Sequence, residues 1–179
     1  ATFILSRRET HQVLTHWAMR ERSLGQRERS DSLLAERPVL YDRPGDYPLR
    51  FSEFLLPAVL EALAGDRDTL THLFARIADQ KRYAFGQKLY FEAGYLCAAL
   101  SRHELLSQPY GVDASEDILL LDAIRSELND DAQRARQLYA EALRIPPPLG
   151  HLAGNFWMYV DEGLRSFVRW RLEVLKHEL

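Results

Sequence analysis

The densest run of apolar side chains lies at Lys81–Leu106, KRYAFGQKLYFEAGYLCAALSRHELL. Its middle, Leu89–Leu100, holds one charge (Glu92) in twelve residues, with apolar positions on every side of a helical wheel. A helix that is apolar all round is buried all round, so the pattern predicts a central helix at about 82–106. The run is too short for a membrane span, which needs about 20 residues.

Apolar spacing of three and four predicts helices on both sides of this run. Ser6 and Glu9 have capping-box form, and Val13, Leu14 and Trp17 follow on one face, giving a helix over 7–23 that stops near Gly25. Residues 26–36 are polar and predict only a short helical turn from Ser30 or Asp31. Ser52 opens a helix through Leu63, with Pro57 near its first turns, and Asp68 caps another over 69–78 with Leu70, Leu73, Phe74 and Ile77 inward. Helices at 117–128 and 131–144 flank a tight turn at Asn129-Asp130, and Pro146-Pro147-Pro148 stops the second. A long aromatic helix at about 153–177 puts Leu164, Phe167, Val168, Leu172 and Leu175 on one face. Ala93/Cys97 and Gly94/Ala98 form a strip of small residues that is expected to receive that last helix.

The expected fold is therefore a single all-α domain, residues 1–179, with six to seven helices bundled around the central one. An irregular Pro-rich connector at 37–51 interrupts it. Pro44-Gly45 signals a turn, and Tyr41 and Tyr47 are expected to pin an ordered loop. Arg37, Arg43 and Arg50 leave two readings of that loop, a packed connector or an anion-binding loop.

Composition changes this picture little. A length of 179 residues can bury a substantial core without metal or disulfide. The net charge of −3 makes no global case for nucleic acid or an anionic membrane. Cys97 is the one cysteine, so no internal disulfide forms, and a reducing, cytoplasmic setting is expected. No signal peptide is read in the first residues.

Local charge is more informative. Between Glu104 and Asp131 eight acids face one base, Arg125, a net −7 that leaves the remaining chain at +4. The expectation is an acidic surface that includes Asp113, Glu116, Asp117 and Asp122.

The pair of helices at 116–149 resembles one tetratricopeptide unit, a 34-residue helix–turn–helix. Ala135, Tyr139, Ala142 and Pro147 stand where that family's second helix has its small, aromatic and small residues and its closing proline. Leu119 and Ala123 suit the first helix, whereas Asp122 stands for the usual leucine and Ser126 for the usual aromatic. The resemblance covers 34 of 179 residues, and an ordinary αα-hairpin of a bundle is the alternative reading. It implies a helical groove that binds a protein segment.

Candidate chemistry is sparse. The six histidines lack metal-ligand spacing, with no HExxH and no ExxH, so no metal and no cofactor are expected. Phosphate-cradling glycine loops and a GxSxG elbow are absent. Glu92 stands out as a carboxylate inside an apolar run, which demands a hydrogen bond, an ion pair or a proton. Lys88 lies one turn back and Tyr95 close by. These three form the candidate ligand-binding group, the alternative being a structural carboxylate.

The expected function is a non-enzymatic interaction module, an adaptor, chaperone or regulator, with a helical groove and the acidic residues named above. Trp157 in the aromatic last helix adds a protein-binding candidate. The partner is another protein or a second copy of the chain, with no membrane insertion. Two alternatives stay open. One is a ligand sensor or enzyme with a cavity at Glu92. The other is nucleic-acid association through the N-terminal part, which carries nine arginines against seven acids in residues 1–50; that balance makes nucleic acid the weaker partner.

Overall fold

The computed structural model describes residues 7–38, 55–78, 84–107, 115–145 and 162–177, with side chains at 9–38, 55–78, 88–107, 117–145 and 164–177. The expected cap at Ser6, most of the Pro-rich connector, Asp113 and Trp157 lie outside these residues. The described chain forms an all-α bundle: α1 (Arg7–Ser23), α2 (Arg27–Ala35), α3 (Leu56–Leu63), α4 (Asp68–Arg76), α5 (Ala84–Leu96), α6 (Arg102–Leu106), α7 (Ser115–Leu128), α8 (Ala132–Arg144) and α9 (Glu162–His177).

Local signals account for most of the boundaries. Gly25 takes φ +74° and Gly65 φ +111°, left-handed values that end α1 and α3 at little cost for glycine. Pro57 sits in the first turn of α3, where its missing N–H is no loss. Asp131 caps α8 by accepting the Arg134 N–H at 3.0 Å. The preceding Asp130 turns the chain at φ 61°, a conformation aspartate tolerates better than most residues.

The predicted central helix divides. The chain leaves helical geometry after Leu96, Ala98 takes φ 62°, and the Leu100 N–H closes the turn on the Gly94 carbonyl at 2.9 Å. Ser101 and Glu104 then form a capping box that starts α6. The Ser-x-x-Glu signature at 101–104 announces this break, but the apolar run masks it.

Burial all round holds for α5 over Lys88–Leu96, where no residue is exposed, and equally for α7 over Asp117–Leu128. The α7–α8 hairpin is the bridge of the bundle. Helix α8 packs on α9, which packs on α1, while α7 packs on α3 and α5. Ala135, Leu138, Tyr139 and Ala142 form the buried seam of α8. Three of them are the residues that carry the tetratricopeptide resemblance.

Two packing expectations are corrected. The small-residue strip of α5 receives Phe74 of α4 and the returning Leu100, not the last helix, whose main contacts are with α1 and α8. A Cβ on Gly94 would lie 2.6 Å from Leu100 Cδ1 and 2.7 Å from Phe74 Cε2. On α1 the buried residues are His11, Thr15, Ala18 and Met19, while Trp17 is 52% exposed. The expected Val13–Leu14–Trp17 face is displaced: α1 packs on α9 and α2, and His16 Nδ1 lies 2.7 Å from Ser166 Oγ of α9.

The α5–α6 break generates a paired prediction. Gly94→Ala is expected to lower stability by about 1–3 kcal/mol through overpacking. Ala98→Gly is expected to raise it by roughly 0.5–1 kcal/mol by relieving the left-handed alanine. Urea denaturation of both variants reads the two opposite signs directly.

Candidate functional site

Two neighbouring features on α5 and α7 concentrate the polar chemistry: a buried carboxylate cluster and an arginine-lined groove. In the cluster, Lys88 Nζ donates to Asp117 Oδ2 at 3.1 Å and lies 3.9 Å from Glu92 Oε1. Glu92 is 0% and Asp117 1% exposed. Neither oxygen of Glu92 has a hydrogen-bond partner among the described residues. One ammonium thus faces two carboxylates, and it bonds Asp117. Burial above all, and then the Asp117 charge, raise the Glu92 pKa well above its ordinary value, with Lys88 opposing. The protonated form of Glu92 is accordingly favoured.

Three residues past Glu92 on α5, just under one helical turn, the groove begins at Tyr95, with a cavity of about 530 Å³. It is lined by Tyr95 of α5, Arg102 of α6, Asp122, Arg125 and Ser126 of α7, Asn129 of the α7–α8 turn, and Arg134 and Leu138 of α8. Asp122 is held from two directions: Tyr95 Oη donates to Oδ1 at 2.5 Å and Arg102 Nε donates to Oδ2 at 3.1 Å. Burial, and then the bond to Asp122, push the Tyr95 pKa up to about 12, so its hydroxyl remains a donor at neutral pH. The Arg125 guanidinium lies over the Tyr95 ring, 4.2 Å from its centroid, and Nη1 donates to the Leu100 carbonyl at 3.3 Å. Arg134 is exposed, and its side chain makes no ion pair among the described residues.

A second polar tie lies behind the groove. Glu127 accepts from Tyr139 Oη at 3.0 Å and pairs with Arg171, joining α7, α8 and α9. Burial, with the Glu127 charge next, raises the Tyr139 pKa well above its usual value, so it too stays a donor.

Elsewhere, His11 on α1 is locked neutral. Its Nδ1 lies 3.5 Å from the Pro38 carbonyl and its Nε2 3.5 Å from Arg37 Nη1, so the proton belongs on Nδ1. Burial and then Arg37 lower its pKa to about 4, against the Pro38 carbonyl, which raises it. Among the described residues no group of three His, Cys, Asp or Glu is placed to hold a metal ion, and no helix is long and apolar enough to cross a membrane.

The expected site residues therefore separate. Glu92, Lys88 and Asp117 come together in the core, while Tyr95 and Asp122 come together in the groove. Asp117 is buried against lysine and forms no part of an exposed acidic face. The side chain of Glu116, in the first turn of α7, is outside the described set. The residues missed were Arg102, Arg125, Asn129 and Arg134. They come from separate elements, and only the fold makes them converge. A further cleft of about 470 Å³ lies between α1, α2, α3 and α4, lined in part by Arg22, Asp31, Glu61 and His72.

Comparison with protein-family models, curated proteins and solved structures found no match.

The Glu92 cluster generates a pH prediction. The folded-state pKa is raised, so the Glu92 contribution to stability is full below the ordinary value near 4.5 and is lost as pH rises through the raised one. Glu92→Gln, which mimics the neutral acid, should gain on the parent by up to about 1.4 kcal/mol per pH unit between the ordinary value and the raised one, and no further above it. Thermal unfolding of both proteins across the range checks it. A stability difference independent of pH means that Glu92 is not held neutral.

Proposed function

We propose that the protein is a non-enzymatic interaction module, an adaptor, chaperone or regulator, that takes a segment of another protein into the groove between α5, α6, α7 and α8. The observation that supports this reading most is the groove itself, an open cleft walled by four helices and lined in part by side chains, Tyr95, Arg102, Asp122 and Arg125, that hold one another in place. Preorganised groups lose less entropy on binding than mobile ones. Its size falls within the range of ligand sites, about 300–1,000 Å³, which suits a short segment. The hairpin resemblance points the same way, since it implies a helical groove for a protein segment.

The acidic half of the original expectation has less support. Asp117, Asp122, Glu127 and Asp130 each pair with a cation from another part of the chain: Lys88, Arg102, Arg171 and Arg67 respectively. The clefts described above do not touch Glu92, so the ligand-sensor alternative gains no observation from them. Three of the nine N-terminal arginines are similarly engaged, Arg22 with Asp31, Arg27 with Glu61 and Arg29 with Glu21, which draws some charge away from a nucleic-acid surface.

Site-specific photo-crosslinking tests the module. A benzophenone side chain at Asn129, in the groove, is expected to trap one discrete protein from the source lysate. The same probe at Glu141, exposed farther along α8, should trap none. Identical products from the two positions, or none from either, would remove the groove from the function. A product of twice the chain's mass identifies a second copy as the partner.

A further inference from the structure

We infer that the occupant of this groove is an acidic segment, read through at least two of its carboxylates by Arg134, Arg102 and Arg125; the inference rests on the interaction-module reading and names the class of its partner. Three guanidinium groups line the groove against one carboxylate, Asp122. That carboxylate is already spent, because its two oxygens take the Tyr95 hydroxyl and Arg102 Nε. The local balance is thus two positive charges in excess, in a chain whose net charge is −3.

The positions of these cations matter as much as their number. Arg125 is fixed by the Tyr95 ring and the Leu100 carbonyl, contacts that commit one face and one nitrogen and leave the rest of its donor fork to a ligand. Arg102 is fixed through Nε, and its side chain remains 53% exposed. Arg134, from α8, has no counter-ion among the described residues and shares the lining with the other two. A guanidinium fork matches a planar carboxylate in two parallel hydrogen bonds. Arginines from three helices lining one groove therefore favour a segment that carries more than one carboxylate.

Asn129 and Ser126 add neutral hydrogen-bonding groups to the lining, while Leu138 and Tyr95 are almost fully buried and contribute little surface. This mixed lining fits a peptide better than a nucleic-acid strand. A phosphate backbone is bound by a long basic track with bases stacked along it, and the excess of positive charge here is confined to one short cleft.

The test uses the full chain and a fluorescein-labelled peptide of alternating glutamate and glycine, followed by fluorescence anisotropy. Saturable binding is expected at low salt, weakening as salt rises. Arg134→Glu should weaken it by roughly tenfold or more. Arg136→Glu, the same charge change on an exposed α8 residue outside the groove, should leave it nearly unaltered. Equal losses in the two variants would reduce the effect to net charge and overturn the inference. So would an oligothymidylate that binds as tightly as the peptide, or the absence of saturable binding.

The crosslinking at Asn129 separates this inference from the reading beneath it. If excess acidic peptide displaces the trapped partner, both stand. A partner that is trapped undiminished overturns the acidic class and leaves the module. Peptide binding with Arg134 dependence but no trapped partner keeps the groove's chemistry and removes the module.

Discussion

Helix α7 presents no exposed residue from Asp117 to Leu128, yet it carries five charged or hydroxyl side chains in that span. Burying a charge without a partner costs several kcal/mol, so each of the ionised groups must recruit one from another helix. Asp117 takes Lys88 of α5, Asp122 takes Tyr95 and Arg102 of α5 and α6, and Arg125 takes the Leu100 carbonyl. Glu127 takes Tyr139 of α8 and Arg171 of α9. The polar satisfaction of one helix thereby sets where four others must lie. Loss of one partner from a buried pair costs about 3–5 kcal/mol, a large share of the stability of an ordinary domain.

The apolar core follows the same plan. Tyr139 meets Phe167 edge-on, with centroids 6.2 Å apart, and Phe167 meets Trp170 at 6.1 Å. These rings seal the α8–α9 contact around the Glu127–Arg171 pair, and the Arg171 guanidinium in turn lies 4.7 Å from the Trp170 centroid. Apolar burial provides the driving force, and the ion pairs select the register.

The groove is a by-product of that selection. Arg102 and Arg125 converge there because Asp122 and the Leu100 carbonyl need them, and the break between α5 and α6 supplies that carbonyl. A continuous helix through 97–101 would have kept the Leu100 carbonyl within its own hydrogen-bonding ladder. Function, on this reading, uses cations first placed to complete a buried helix. Glu92 differs, since no hydrogen-bond partner reaches it among the described residues and Lys88 stands 3.9 Å away, so the core favours its protonated form.

Periodicity along the chain determined that the protein is helical, where most helices run, and that Leu164, Phe167, Val168 and Leu175 share one face, because these depend on neighbours three and four residues apart. Glycine, proline and capping residues determined most of the ends for the same reason. Charge could not be read that way. The acids between Glu104 and Asp131 look like one surface when counted along the chain, but their partners Lys88, Arg67 and Arg171 lie in other elements. Only the tertiary structure decided that Asp117 is core, that Asp122 is neutralised, that the last helix packs on α1 and α8, and that three distant arginines share a groove. Electrostatic pairing acts through space, and sequence distance carries no information about it once the chain has folded back on itself.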